Sequence, residues 1–353
     1  MILDGSIQKK IKRENLAKLF IVLAIITSGL VAILAIPGLL TSFLLAFVIT
    51  YLFKPIIVYL ERKGVRQIFA ILLPFLVLGL VISLASHYIA NLITEQATSF
   101  QTDLPKYING FADTLKKPTN ALSKALLPYT KVDVGERAAS WMQNYATGMI
   151  QKIPDWISQF LSTLLLAPFL AFFMLKDGLT IRRSLFSLIP NNLFEVALNL
   201  SSQINKQLGQ FIRARLLEAL IVGLVVWLGL YSIGTPYTTL LALFAALTNL
   251  IPYLGPIIGA IPGIVIAFVN HDSFGLIALV ASAYLLAQLI DIVFVIPLVV
   301  ARIVNLHPVT VVIVIVVGSQ IMGILGMIIS VPVASILKLI FTEFYNHVVD
   351  IRS

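Results

Sequence analysis

Long apolar runs separated by short polar breaks dominate the chain. A helix needs about 20 apolar residues to cross the ~30 Å hydrocarbon core of a bilayer. Residues 17–36, 39–53, 68–89, 156–175, 216–233 and 274–300 each predict such a span. Pro37-Gly38 marks a turn after the first, and Lys176-Asp177-Gly178 ends the fourth. Between the fourth and fifth, Leu193, Val196, Leu200, Ile204, Leu208 and Phe211 recur at helical spacing. That stripe predicts an amphipathic helix lying along the membrane surface. Lys206, Arg213 and Arg215 are then available to anionic headgroups. Glu218, at the start of the next run, is expected to form an interfacial ion pair with these arginines.

Residues 91–155 are too polar to cross. Phe100, Leu104, Tyr107, Ile108, Phe111 and Leu115 form one apolar stripe, which predicts a small helical extracytoplasmic subdomain with breaks near Pro118 and Pro128. Two roles are open for it: a packing cap or oligomer contact, and a lid or access vestibule.

The last third follows a different rhythm. Residues 238–251 are apolar for about 14 residues, roughly 21 Å of helix, which is short of a full crossing. Pro252-Tyr253-Leu254-Gly255-Pro256 then interrupts, and a second short run covers 257–269. The pattern recurs: residues 309–317 run into Gly318, Ser319, Gln320, Gly323 and Gly326, followed by 327–341 with Pro332 inside. The order span, broken hairpin, span, broken hairpin predicts two units of opposite orientation, the inverted-repeat plan of secondary transporters. A rival layout draws each broken segment as one long kinked span. The expected fold is an all-α polytopic integral membrane protein. It has about six full spans plus two broken or re-entrant helical hairpins, or alternatively eight spans. Its parts are a three-span unit (1–90), the helical subdomain (91–155), a span with the amphipathic helix (156–215), an inverted-repeat transport core (216–341) and a cytoplasmic tail (342–353).

Composition narrows the class. Of 353 residues 59% are apolar and 12% charged, against about 25% charged in soluble domains. The absence of cysteine excludes disulfides, thiolate metal sites and thiol catalysis. The net charge of +9 would suggest nucleic acid, but the basic residues collect at the ends of apolar runs. Lys9, Lys10, Lys12 and Arg13 precede the first; Lys54, Arg62, Lys63 and Arg66 face one acid, Glu61, after the second. This bias predicts cytoplasmic N- and C-termini in a bacterial inner membrane, with lipid rather than nucleic acid as the partner. The first run is too long for a signal-peptide core and reads as a retained span. No phosphate-binding G-x-x-x-x-G-K-[ST] loop and no H-E-x-x-H motif occur, and the four histidines are scattered. Neither enzyme activity, cofactor nor metal is expected. His307, just before Pro308 at a helix start, reads as a cap or interface residue, with chemistry as the alternative.

Candidate site residues are the polar groups at depth. Asp291 lies well inside a span, where a carboxylate costs roughly 2.5–3.5 kcal/mol. It can bind a cation, carry a proton, or pair with Arg302 or through Gln288. Asn249 and Tyr253 flank the first break and Gln320 sits at the second; each can bind a polar solute or satisfy backbone freed by the break. Pro252, Gly255, Pro256, Gly318, Gly323 and Gly326 are the helix breakers. Gly255, Gly259 and Gly263, spaced by four, also form a close-packing face. Asp291, Asn249, Tyr253 and Gln320 are expected to approach one another near mid-membrane.

The stretch from Asn249-Leu250-Ile251-Pro252-Tyr253-Leu254-Gly255-Pro256 to Gly259 resembles the signature of the autoinducer-2 exporter family, also described as PerM-type permeases. Gln288-Leu289-Ile290-Asp291 with Pro297, Val304-Asn305-Leu306-His307-Pro308, and Gly323-Ile324-Leu325-Gly326-Met327 through Pro332 resemble its later blocks. The segment order fits over nearly the whole chain. Ile290 and Ala301-Arg302 depart from the pattern: members often carry an acid just before the residue matching Asp291, and a glycine a few residues after the proline matching Pro297. A second carboxylate next to Asp291 in the sequence is therefore absent. The resemblance implies an oligomeric membrane transporter exporting a small polar solute, such as autoinducer-2. Its alternatives are an antiporter of sodium, lithium or potassium for protons, and a non-transporting scaffold with 91–155 as its binding module.

Overall fold

The computed structural model describes residues 38–126, 153–187, 189, 191–270, 274–294 and 306–350, together with residues 24, 27, 28 and 140. The predicted first span at 17–36, apart from residues 24, 27 and 28, the break at Pro128, and the segment holding Pro297, Ala301 and Arg302 lie outside them. Eight helices carry the described fold: α1 (Leu39–Arg62), α2 (Gln67–Leu126), α3 (Ile153–Phe186), α4 (Asn191–Ile233), α5 (Thr238–Thr248), α6 (Leu254–Asn270), α7 (Phe274–Ile290) and α8 (Pro308–Asp350). The chain is an all-α polytopic membrane protein. Among the described residues, Leu39–Arg62, Gln67–Leu84, Phe194–Ile233, Gly275–Phe294 and Gly326–Glu343 are long and apolar enough to cross a bilayer.

The helices divide into two compact units, the first made of residues 1–78, 157–213 and 331–353. Its core joins Ala46, Ile49, Phe53 and Ile57 of α1 to Ala70 and Ile71 of α2 and to Ala167 and Ala171 of α3. Alanines on all three faces let the backbones approach closely. α1 does not stop at Phe53 as the apolar run suggested. It continues through Pro55 to Arg62, so Lys54 is helical and only residues 63–66 form the turn. Gly64, at φ 88°, closes the helix, and the Val65 amide bonds back to the Leu60 carbonyl at 3.1 Å, a Schellman end. A proline inside a helix leaves the carbonyl four residues earlier without its donor. For Pro55 that carbonyl belongs to Tyr51, and the Arg213 guanidinium donates to it at 3.1 Å. Gly209 makes room: a Cβ there would lie 3.1 Å from Arg213 Nη1 and 3.2 Å from the Tyr51 ring. Arg213, expected at lipid headgroups, thus completes α1 from within. Tyr51 also donates to Asn205 at 2.8 Å, and Gln207 donates to Ser335 of α8 at 2.6 Å.

The second unit holds residues 79–156 and 214–330. Here Val222, Val226 and Leu230 of α4 meet Leu241, Ala242 and Ala245 of α5, Val265 and Ile266 of α6, and Val280, Ala283 and Ala287 of α7. Glycines set the spacing. A Cβ on Gly223 would lie 2.7 Å from that of Ala246, and one on Gly229 2.7 Å from that of Ala283.

Three further helices run past their expected ends. α3 does not stop at Lys176-Asp177-Gly178 but continues to Phe186, a single glycine being tolerated within a helix. α2 has 60 residues, about 90 Å at 1.5 Å per residue, so it leaves the hydrocarbon without breaking. It passes residue 91 and continues through Pro118. α4 joins the amphipathic stretch at 193–211 to the span at 216–233 in one helix of 43 residues.

Both predicted hairpins are present. α5 has 11 residues and α6 has 17, about 16 and 25 Å, each short of ~30 Å. They fold back on each other: a Cβ on Gly259 would lie 2.6 Å from the Thr248 hydroxyl and 3.0 Å from Ala245 Cα. In α8 the reversal falls at Met322 and Gly323, the latter at φ 59°, ψ −139°. Gly318 and Gly326 lie on either side, and a side chain on either would run into the other's carbonyl.

Candidate functional site

The first break is built from its backbone outward. α5 ends at Thr248, and the amides of Asn249, Leu250 and Ile251 bond back to Ala245, Leu247 and Thr248. Tyr253 takes a left-handed conformation at φ 63°, which costs about 1–2 kcal/mol in a non-glycine residue. The Gly255 amide bonds to the Ile251 carbonyl at 3.0 Å, and its missing Cβ leaves space for the Thr248 carbonyl. Pro256 falls in the first turn of α6, where a missing amide removes no helical bond. The breakers therefore divide the work. Pro252 and Tyr253 make the corner, Gly255 lets the arms touch, and Gly323 reverses α8 together with Met322.

Among the buried polar residues of the second unit, four concern the site. Glu218, Asn249 and Asp291 are each 2% exposed and Tyr284 8%. Asp291 opens a π-helical turn over residues 291–294, just past α7; such wide turns recur at functional positions. Glu218 sits on α4, one turn after Arg215, and accepts a hydrogen bond from its guanidinium at 2.6 Å. Asp291 is within electrostatic reach of both Arg215 and Glu218. The guanidinium is bonded to Glu218, and Asp291 stands near enough to feel the charge of both. Glu218 Oε2, Asp291 Oδ1, Asn249 Nδ2 and the Tyr284 hydroxyl find no hydrogen-bond partner in the described protein. Buried polar groups are nearly always paired, so each unpaired one is open to a partner from outside the protein, such as a solute, an ion or water. The Tyr284 ring fills the space that Gly263 leaves open.

The sequence-derived set splits by environment. Asn249 and Asp291 are buried, Gln288 is half-buried, and Tyr253 and Gln320 are exposed. Tyr253, at 54% exposure, is at the tip of the corner. Gln320 lies just before the reversal in α8. His307 Nδ1 accepts from the Val309 amide at 3.3 Å, capping α8. Glu218 escaped the sequence reading as a site residue because it stands near the start of an apolar run with arginines beside it. The signal was nevertheless there: like Asp291, it is a carboxylate within an apolar run. It supplies from another helix the second acid that Ile290 denies Asp291 in sequence.

Full spans together with two broken hairpins and buried ionisable groups define the class of α-helical membrane transporters. The sequence profile described as AI-2E family transporter matches residues 19–346, and the chain belongs to that family. It is 27% identical to YueF of Bacillus subtilis (strain 168), provisionally named a transport protein, over 95% of this chain and 94% of that one. PerM of Escherichia coli (strain K12), provisionally named a permease, is 26% identical over 90% of each chain. The AI-2 transport protein TqsA of Escherichia coli (strain K12) is 24% identical over 94% of this chain and 93% of its own.

Proposed function

We propose that this chain is a secondary transporter carrying a small polar organic solute out across the bacterial inner membrane, with both termini in the cytoplasm. The likeness to TqsA, whose name gives it AI-2 as cargo, along nearly the whole of both chains carries this reading. The broken hairpins support it, because interrupted helices present free backbone groups to a solute at membrane depth. Efflux of autoinducer-2 from cells lacking their own exporter tests it. Faster efflux on expression of the wild-type chain is the expected result. Unchanged efflux, with the protein verified in the membrane, removes this cargo.

The buried carboxylates favour a second reading, exchange of a monovalent cation for protons centred on Asp291. A carboxylate with an unpaired oxygen is the chemistry both ions need. In everted vesicles with a pH-sensitive dye, sodium, lithium or potassium should then trigger a pH change that Asp291→Asn abolishes. A response surviving that substitution sinks the role of Asp291, and no response from wild type leaves solute export alone.

A further inference from the structure

Both open ends of the α5–α6 hairpin are held by one face of α2. Gln96, Phe100, Asp103, Tyr107 and Gly110 follow one another at steps of four and three residues, so they share a stripe. At the start of α5 the Leu240 amide donates to Gln96 Oε1 at 3.1 Å. This amide is one of the first few of a helix, which lack partners within it. Tyr237, in the N-cap position, gives no side-chain cap, so another helix provides the acceptor. The Tyr237 hydroxyl donates to Asp103, and its ring meets those of Phe100 and Tyr107. At the far end of α6, Asn270 donates to the Tyr107 hydroxyl at 3.1 Å and accepts from Lys106 at 3.2 Å. Gly110 faces Val269.

Tyr237 has φ 58°; it and Tyr253 are the two non-glycine residues with positive φ among those described. Strained backbone of this kind persists where its surroundings hold it, and it gathers at moving parts. The hairpin has one at its base and one at its tip. Toward α4 and α7 the contacts are mainly apolar, with one hydrogen bond from Trp227 to Thr239. Toward α2 four hydrogen bonds run beside the ring contacts of Phe100 and Tyr107, and water can replace those bonds when the surfaces part.

We propose that this face of α2 is a latch on the α5–α6 hairpin, and that its release is a step of the transport cycle. The second clause rests on the transport reading; the first does not. The 91–155 region then acts through a lid-like contact within its helical first half.

Hydrogen exchange on the full chain in lipid nanodiscs tests the latch without any substrate. Tyr237→Phe leaves Asp103 without its donor and should speed exchange of residues 238–270 by about tenfold, the effect of one buried hydrogen bond. Gln96→Ala should act at the start of α5. Residues 39–62 should be unaffected in both. A lock is also available. A Cβ on Gly110 would lie 3.5 Å from that of Val269, within the usual disulfide range, and the chain has no other cysteine. Oxidised Gly110→Cys/Val269→Cys should slow exchange in 238–270 and stop transport, with both restored by reduction. Unchanged exchange in every variant overturns the latch. Altered exchange with equal transport by the oxidised and reduced protein leaves a static brace and overturns the gating step. Absence of transport from wild type itself would instead count against the transport reading, with the exchange result still deciding the latch.

Discussion

Replacing Glu218 by glutamine keeps its size and removes one of two buried negative charges. With Glu218 neutral, the Arg215 charge acts on Asp291 unopposed by a second carboxylate, and the unpaired oxygen of Asp291 would lose its value as a cation acceptor. Glu218→Gln should therefore suppress any cation-driven pH change as fully as Asp291→Asn does, although the two residues stand on different helices. It should also cost about 1–3 kcal/mol of stability through the weakened charged hydrogen bond, read as a lower melting temperature in detergent. Equal pH responses in wild type and Glu218→Gln would show that Asp291 works without a second acid. Asp291 stood out in the sequence because Ile290 and Ile292 flank it deep in a span. Asn249 stood out because it adjoins two prolines and a glycine. Glu218 and Tyr284 were harder to see, since their role depends on which helices meet, and one chain's periodicity does not contain that information. The Tyr237 hydroxyl is pushed above its ordinary value by burial, then by its bonds to Asp103 and Tyr107. Its bond to Asp103 therefore persists through the physiological range. This contribution is complete below the free tyrosine value of about 10 and fades as pH rises through the higher folded value. Protection of 238–270, meaning exchange rates divided by the base-catalysed intrinsic rates, should accordingly stay flat from neutral to mildly alkaline pH.

Whole elements were legible where a breaker stops them and illegible where none does. Pro252 and Gly255 ended α5 on the page as they do in space. Residues 212–215, Ile-Arg-Ala-Arg, contain no glycine or proline, so a surface helix and a span fuse into α4; the change from amphipathic to apolar alters its surroundings and not its backbone. Residues 90–95 let α2 continue for the same reason. Gly318, Gly323 and Gly326 looked alike in sequence, yet their substitutions should separate them. Gly323→Ala meets a backbone cost of about 1–3 kcal/mol, because alanine poorly tolerates φ 59° with ψ −139°. Gly318→Ala and Gly326→Ala keep acceptable dihedrals but force the arms of α8 apart, so they should lower the melting temperature more than Gly323→Ala. The reverse order would mean that the reversal, and not the close approach, limits the stability of this hairpin.

For the molecule as a whole, the basic turn at residues 63–66 and the C-terminal end of α8 are expected on one side of the membrane. Single cysteines in place of Arg66 and Asp350 should react with a membrane-impermeant maleimide in everted vesicles and stay protected in intact cells. Labelling of only one of them in either preparation would break the proposed topology. The chain's closest internal bookkeeping concerns Pro55, which deprives the Tyr51 carbonyl of its helical donor, and Arg213, which replaces that donor from a distant part of the sequence. Neither residue has this reason to exist without the other. Arg213→Ala should destabilise the protein by about 1–3 kcal/mol, and adding Pro55→Ala should restore much of the loss, a strongly non-additive cycle. In the history of the family the two positions are then a single inherited character: a relative that trades the proline for an ordinary helix former is free to lose the arginine, and the two changes should be found together.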